Sequence, residues 1–243
     1  FVLHYQPQVD AQRRVFAAEA LLRWQHPHHG LVPPARFVPL AEDTGLIVPI
    51  GQWVLETACA QIKAWSVDAR THKLQVAVNV SARQFRQPDF VELLRQALDD
   101  SGADPARLKL ELTESLVLDN VADTIVKMNA IKLLGVTFSM DDFGTGYSSL
   151  AYLRRFSLDV LKIDKSFVDD LPHQREAMEI AATIIAMGHT LGLKVLAEGV
   201  ETAEQLAFLQ LKGCDRYQGY LTSPPVPAAA FAALLMKMAT GVA

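Results

Sequence analysis

Cysteine is scarce: Cys59 and Cys214 are the only two in 243 residues. They lie far apart and in no Cys-x-x-Cys pair, which excludes a disulfide framework and a thiolate zinc site and leaves two reduced, buried thiols in a cytoplasmic setting. A positive charge excess is missing too. Lys and Arg number 23 against 27 Asp and Glu, for a net charge of −4, so a surface built to coat polynucleotide is excluded. No charged leader with an apolar core opens the chain. The longest uncharged run, residues 217–236, is as long as a bilayer span. It carries Gln218 and the prolines Pro224, Pro225 and Pro227, which argue against a transmembrane helix. No Gly-x-Gly-x-x-Gly turn follows an early strand, so a dinucleotide-binding open sheet has no support beyond being the alternative α/β arrangement.

What is present is a globular composition. Half of the residues are hydrophobic and 21% are charged, the opposite of a disordered chain. The start at Phe1 without Met suggests one domain, residues 1–243, taken from a longer multidomain protein. Apolar runs rich in β-formers alternate with helical patterns, the signature of βα repeats around a parallel sheet. The expected strands are residues 2–6, 15–22, 75–80, 108–112, 137–141, 160–163, 194–197 and 216–219. Helices are expected over 34–42, 49–65, 88–99, 121–134, 148–156, 174–191, 203–212 and 228–238. Gly102, Gly135, Gly192 and Gly213 follow helices where a left-handed cap is wanted. Eight strands and about eight helices fill the length, so a (β/α)8 barrel is the economical fold.

Polar groups interrupt or close these apolar strands one after another: Glu19, Asn79, Glu111, Asp141-Asp142, Lys162 with Asp164, Glu198 and Gln218. In parallel strands of a barrel the C-terminal ends share one face, and that face carries the active site. A single such group is ordinarily a loop hydrogen-bonding residue; seven strands with the same feature are not. Burying that many carboxylates uncompensated costs several kcal/mol apiece. Mg2+ or Mn2+ is the natural compensation for Asp, Glu and Asn oxygens, and Asp141-Asp142 is suited to bridge two ions of the kind used in phosphodiester hydrolysis. Six carboxylates face only Lys162 and Arg23, and a ligand with two phosphodiesters would deepen the deficit that two divalent cations offset.

Other signals weigh less. Asp142-Phe143-Gly144 spells the kinase triplet without a glycine-rich loop or catalytic loop to accompany it. Gly144-Thr145-Gly146 is too short for a dinucleotide fingerprint. His26, His28 and His29 around Pro27 suit a solvated loop better than zinc. Ile180, Ile184, Met187 and Leu191 have core helical spacing.

The ordered set of motifs resembles the EAL family of cyclic di-GMP phosphodiesterases. It runs from Tyr5-Gln6-Pro7 through Glu19-Ala20-Leu21-Leu22-Arg23-Trp24, Asn79-Val80-Ser81 and Glu111-Leu112-Thr113-Glu114. It continues through Asp141-Asp142-Phe143-Gly144-Thr145-Gly146-Tyr147-Ser148-Ser149, Leu161-Lys162-Ile163-Asp164, Ala197-Glu198-Gly199-Val200-Glu201 and Gln218-Gly219-Tyr220. The resemblance implies a modified TIM-type (β/α)8 barrel with an antiparallel first strand, which fits a short opening strand. It implies two divalent cations, one held by Glu19, Asn79, Glu111 and Asp141, the other by Asp141, Asp142 and Glu198. Lys162 would contact the attacking water or the scissile phosphate, with Gln218 and Asp164 completing the surroundings. Arg23 would pair with a substrate phosphate, Gln6 and Leu21 would line the nucleotide pocket, and Glu114 would anchor the loop 142–149.

The implied reaction opens cyclic di-GMP to linear pGpG by two-metal activation of water. The implied assembly is a homodimer formed near residues 148–156. The alternative within the resemblance is a receptor that binds cyclic di-GMP without hydrolysing it. Thr222, where the family commonly has Phe, and the following Ser223-Pro224-Pro225-Val226-Pro227 depart from the pattern at the pocket rim.

Overall fold

The structure, a computed structural model, describes residues 1–144 and 153–240. Its strands β2 (Val15–His26), β4 (Gln75–Asn79), β5 (Leu108–Thr113), β6 (Thr137–Phe143), β7 (Val160–Ile163), β8 (Lys194–Ala197) and β9 (Arg216–Tyr217) run parallel in sequence order. β1 (Val2–Asp10) closes the barrel, antiparallel to β2 along most of its length and to β9 at Val9–Asp10. The expected barrel with a reversed first strand is therefore the fold. β1 is longer than anticipated, because Pro7 sits inside it opposite Ala18 without ending the pairing. Two short strands were not anticipated. β3 (Gly30–Val32) makes a hairpin with the end of β2, and β10 (Val226–Pro227) adds to β1 at His4–Tyr5.

Alternation within the strands decides what faces where. Leu108, Leu110 and Leu112 of β5 are fully buried and belong to the hydrophobic core, as do Phe138 and Met140 of β6 and Leu161 and Ile163 of β7. The residues between them, Lys109, Glu111, Ser139, Asp141 and Lys162, turn to the opposite side of their strands and are buried as well. The apolar surface is covered by helices such as Ile47–Trp65, whose Ile47, Val54, Leu55, Ala58, Cys59, Ile62 and Trp65 form a buried stripe at helical spacing. Cys59 and Cys214 are buried free thiols.

The expected helix over 34–42 is a 3-10 turn, Pro34–Arg36, followed by Val38–Thr44. Helix Ile47–Trp65 begins two residues before Pro49, which stands in the first turn where no amide hydrogen is needed. Thr202 and Gln205 close a reciprocal capping box on Ala203–Leu211. Gly102, Gly135, Gly192 and Gly213 all take the left-handed conformation. The uncharged run over 217–236 is broken into a turn, β10 and helix Ala228–Thr240. No helix among the described residues is long and apolar enough to cross a membrane. The helix expected over 148–156 lies mostly outside the described residues.

Candidate active site

Two irregularities in the barrel aim its polar residues. Adjacent residues of a regular strand face opposite ways, so Asp141 and Asp142 could not normally serve one site. Between β6 and β7 the register jumps from Met140 opposite Leu161 to Phe143 opposite Ile163, leaving both aspartates against the single Lys162. This is a bulge, a device that bends the strand and re-aims its side chains. Asp142 takes φ 53°, an unfavourable left-handed conformation for a non-glycine residue. At β9, a Cβ on Gly219 would stand 2.1 Å from the carbonyl oxygen of Val200. Only glycine permits the close approach that holds Gln218 at the strand end.

Lys162 is the hub. It is 0% exposed, and its Nζ donates to Glu111 Oε2 at 2.6 Å and lies 3.0 Å from Asp141 Oδ1 and 2.6 Å from Glu198 Oε1. The second oxygen of Glu111 accepts from the Ser139 hydroxyl at 3.2 Å. Beside this hub runs a chain of amides. Asn79 Nδ2 donates to Glu19 Oε1 at 2.7 Å, Gln218 Nε2 donates to Glu19 Oε2 and to Gln6 Oε1, and Gln8 Nε2 donates to Gln218 Oε1 at 2.9 Å. Gln6 in turn donates to the Ser223 carbonyl at 3.0 Å, so the segment after Thr222 touches the amide chain directly.

One ammonium cannot compensate this many carboxylates. Burial raises the Glu111 carboxyl to about 8, with Glu19 and Asp141 adding to it against the pull of Lys162. Burial likewise pushes Glu198 well above the carboxylate range, and Asp142 is raised by burial, then by Asp141 and Asp164. Glu19 goes the other way. Burial opposes its charge, but Lys162 and the hydrogen bonds from Gln218 and Asn79 hold it below the usual value. Burial also opposes the charge of Lys162, yet Asp141, Glu111, Glu19 and Glu198 together keep it well above an ordinary lysine.

Asp141, Asp142 and Glu198 each present a carboxylate oxygen, all within 4.8 Å of one another. Clustered hard oxygen donors with a charge deficit fit Mg2+ or Mn2+.

The other anticipated residues surround this centre. Arg23 is half-buried, donates to the Leu22 carbonyl at 2.8 Å, and lies in the field of Tyr220 and Glu19. Leu21 borders an apolar cavity of about 310 Å3 that reaches Asn79. Asp164 accepts from the Ser166 amide and hydroxyl, capping a 3-10 turn after β7. Glu114 is buried and accepts from the Gly144 amide at 3.1 Å, two residues after Asp142. Gln8 and Ser139 were not singled out from the sequence. Each stands two residues from one that was, Gln6 and Asp141, and so shares its face of the strand.

The EAL domain model matches residues 1–225. The chain belongs to the EAL domain family. It is 47% identical over 228 residues to the bifunctional diguanylate cyclase/cyclic di-GMP phosphodiesterase MucR of Pseudomonas aeruginosa, covering 93% of this chain and 33% of MucR. It is 48% identical over 229 residues to the cyclic di-GMP phosphodiesterase NbdA of the same organism, covering 94% of this chain and 29% of NbdA. This EAL chain therefore spans about a third of the length of these curated relatives. A solved complex of the MucR phosphodiesterase with c-di-GMP superposes with a TM-score of 0.91 at 46% identity, covering 95% of this chain and 93% of that one.

Proposed function

We propose that this EAL domain is a metal-dependent phosphodiesterase that hydrolyses cyclic di-GMP to linear pGpG. The observation that carries the reading is the cluster of buried Glu19, Glu111 and Asp141 with partly exposed Asp142 and Glu198 around one lysine, at the end of the barrel where such folds place their chemistry. Relatives at 47–48% identity that are named for this activity support it.

In this reading Glu19, Asn79, Glu111 and Asp141 hold one divalent cation, Mg2+ or Mn2+, and Asp141, Asp142 and Glu198 hold a second. The cations, when bound, activate water and neutralise charge that develops on the phosphodiester oxygens. The protein supplies the rest. Arg23 pairs its guanidinium with a substrate phosphate, for which the planar fork is well shaped. Gln6 and Leu21 line the nucleotide pocket. Gln218 keeps Glu19 and Gln6 in register, and Asp164 lies beside Asp142. Lys162, held charged by its carboxylates, donates hydrogen bonds toward the attacking water or the scissile phosphate. Glu114 fixes the backbone at Gly144, just after the paired aspartates.

A homodimer belongs to the same reading. The resemblance sets its interface near residues 148–156, which lie mostly outside the described residues. The two free thiols fit a cytoplasmic setting.

Product analysis tests the reaction. Incubation with cyclic di-GMP and Mn2+ should give pGpG, one phosphodiester opened, as the first product. Tight binding with no product would make the domain a receptor instead.

A further inference from the structure

The metal ligands of the proposed centre already have a cation. Lys162 can donate three hydrogen bonds, and its Nζ lies within 3.0 Å of three carboxylates, Glu111, Asp141 and Glu198. All three are among the residues assigned above to divalent ions. Its backbone leaves little room to withdraw. It sits in the middle of β7, paired with Leu196 of β8 on one side and facing the aspartate bulge of β6 on the other. The oxygens it holds are used further. Glu111 spends one on Lys162 and the other on Ser139, and Asp141 Oδ1 also accepts from the Asp142 amide at 3.0 Å. A divalent ion approaching Glu111, Asp141 or Glu198 competes with an ammonium at 2.6–3.0 Å.

We propose that Lys162 is an internal stand-in cation: it holds the carboxylate cluster together in the metal-free domain and, for the same reason, weakens the cluster's affinity for divalent ions. The inference rests on the metal-centre reading but goes beyond it, assigning Lys162 a role before substrate arrives. Removing one partner of a buried ion pair leaves uncompensated charge, a strongly destabilising change. Here a divalent ion can restore the balance, so the loss and the rescue are both measurable without turnover.

The test compares wild type with Lys162→Met, both prepared with Mn2+ and then titrated with chelator, using calorimetry for binding and thermal unfolding for stability. The variant should bind Mn2+ on the order of tenfold more tightly. It should also gain more thermal stability from saturating Mn2+ than wild type does, as binding linkage requires. Equal or weaker binding by the variant would overturn the proposal while leaving the metal centre intact. Absence of Mn2+ binding in either protein would overturn the metal centre and the proposal together. A second measurement needs no variant. The 15Nζ resonance of Lys162 in wild type should shift as Mg2+ is added without substrate; a resonance unmoved at saturating Mg2+ would contradict the exchange of partners.

Discussion

The two ends of the barrel use the same side chains to opposite effect. At the N-terminal end, Asp215 lies 2.7 Å from Lys194 Nζ, 2.9 Å from His189 Nε2 and accepts from the Val195 amide at 2.9 Å. Asp159 accepts from Lys132 Nζ and from the Phe138 amide at 2.7 Å, and Asp10 is tied to Arg14 and its own turn. Burial works against Asp215, but Lys194, the Val195 amide and His189 outweigh it and hold the carboxyl below its usual range. At the C-terminal end, burial dominates and Glu111 rises to about 8 although Lys162 touches it. The difference lies in supply. Each lower carboxylate has a cation of its own, whereas Glu111, Asp141 and Glu198 share the one ammonium of Lys162. Function is signalled by that deficit, because carboxylates as such occur at both ends.

The largest break of this contrast comes from the upper end. Glu19→Ala removes the acceptor of both Asn79 and Gln218, and turnover should fall about 10³-fold with the far-UV circular dichroism unchanged. Wild-type turnover would remove Glu19 from the centre. Arg23→Met should act on binding. KM for cyclic di-GMP should rise about 10- to 100-fold with kcat little changed, the worth of a charge-assisted hydrogen bond at roughly 1.5–3 kcal/mol. A fall in kcat at constant KM would instead place Arg23 at the reacting bond.

The lower end should respond only in stability. Asp215→Ala removes an acceptor shared by partly exposed donors and should cost about 1 kcal/mol in urea unfolding, while turnover stays at the wild-type value. A loss of turnover would show that the two ends are coupled.

The smallest effect is a drift with pH. In chelator, native Glu111 keeps a proton up to about 8, whereas the unfolded chain releases it in the ordinary carboxylate range. The native state binds more protons over that interval, so stability should fall as pH rises toward 8 and level off above it. Asp215, depressed in the native state, contributes the opposite slope at acid pH, where stability is lost as pH falls. Saturating Mn2+ should remove the first slope and leave the second. Thermal melts from pH 4 to 9 would show both, and a metal-free midpoint that rises between pH 5 and 8 would contradict the protonated cluster.

Most of the barrel was legible because each parallel strand carries its apolar side and its polar punctuation in a short, bounded run. β3 and β10 were not. Strands of three and two residues are defined by the partner beside them, and Pro227 argues against a strand on composition. The same bias ended β1 at Gln6, although Pro7 lies within its pairing. At the site, the residue types pointed to the acidic centre and the family motifs supplied the roles. What pattern could not supply was the bulge that turns Asp141 and Asp142 onto Lys162, since strict alternation separates neighbours. Nor could it supply the three contacts of Lys162, which depend on three other strands meeting around it. Ser139 and Gln8 were recoverable from two-residue spacing alone.

The most direct measurement is cyclic di-GMP hydrolysis by the purified domain with Mg2+ or Mn2+, and again in excess chelator, over a wide range of protein concentrations. Metal-dependent pGpG production that chelator abolishes and added Mn2+ restores is the predicted result. Equal turnover with and without chelator, or tight binding without product at every concentration, would contradict a metal-dependent phosphodiesterase.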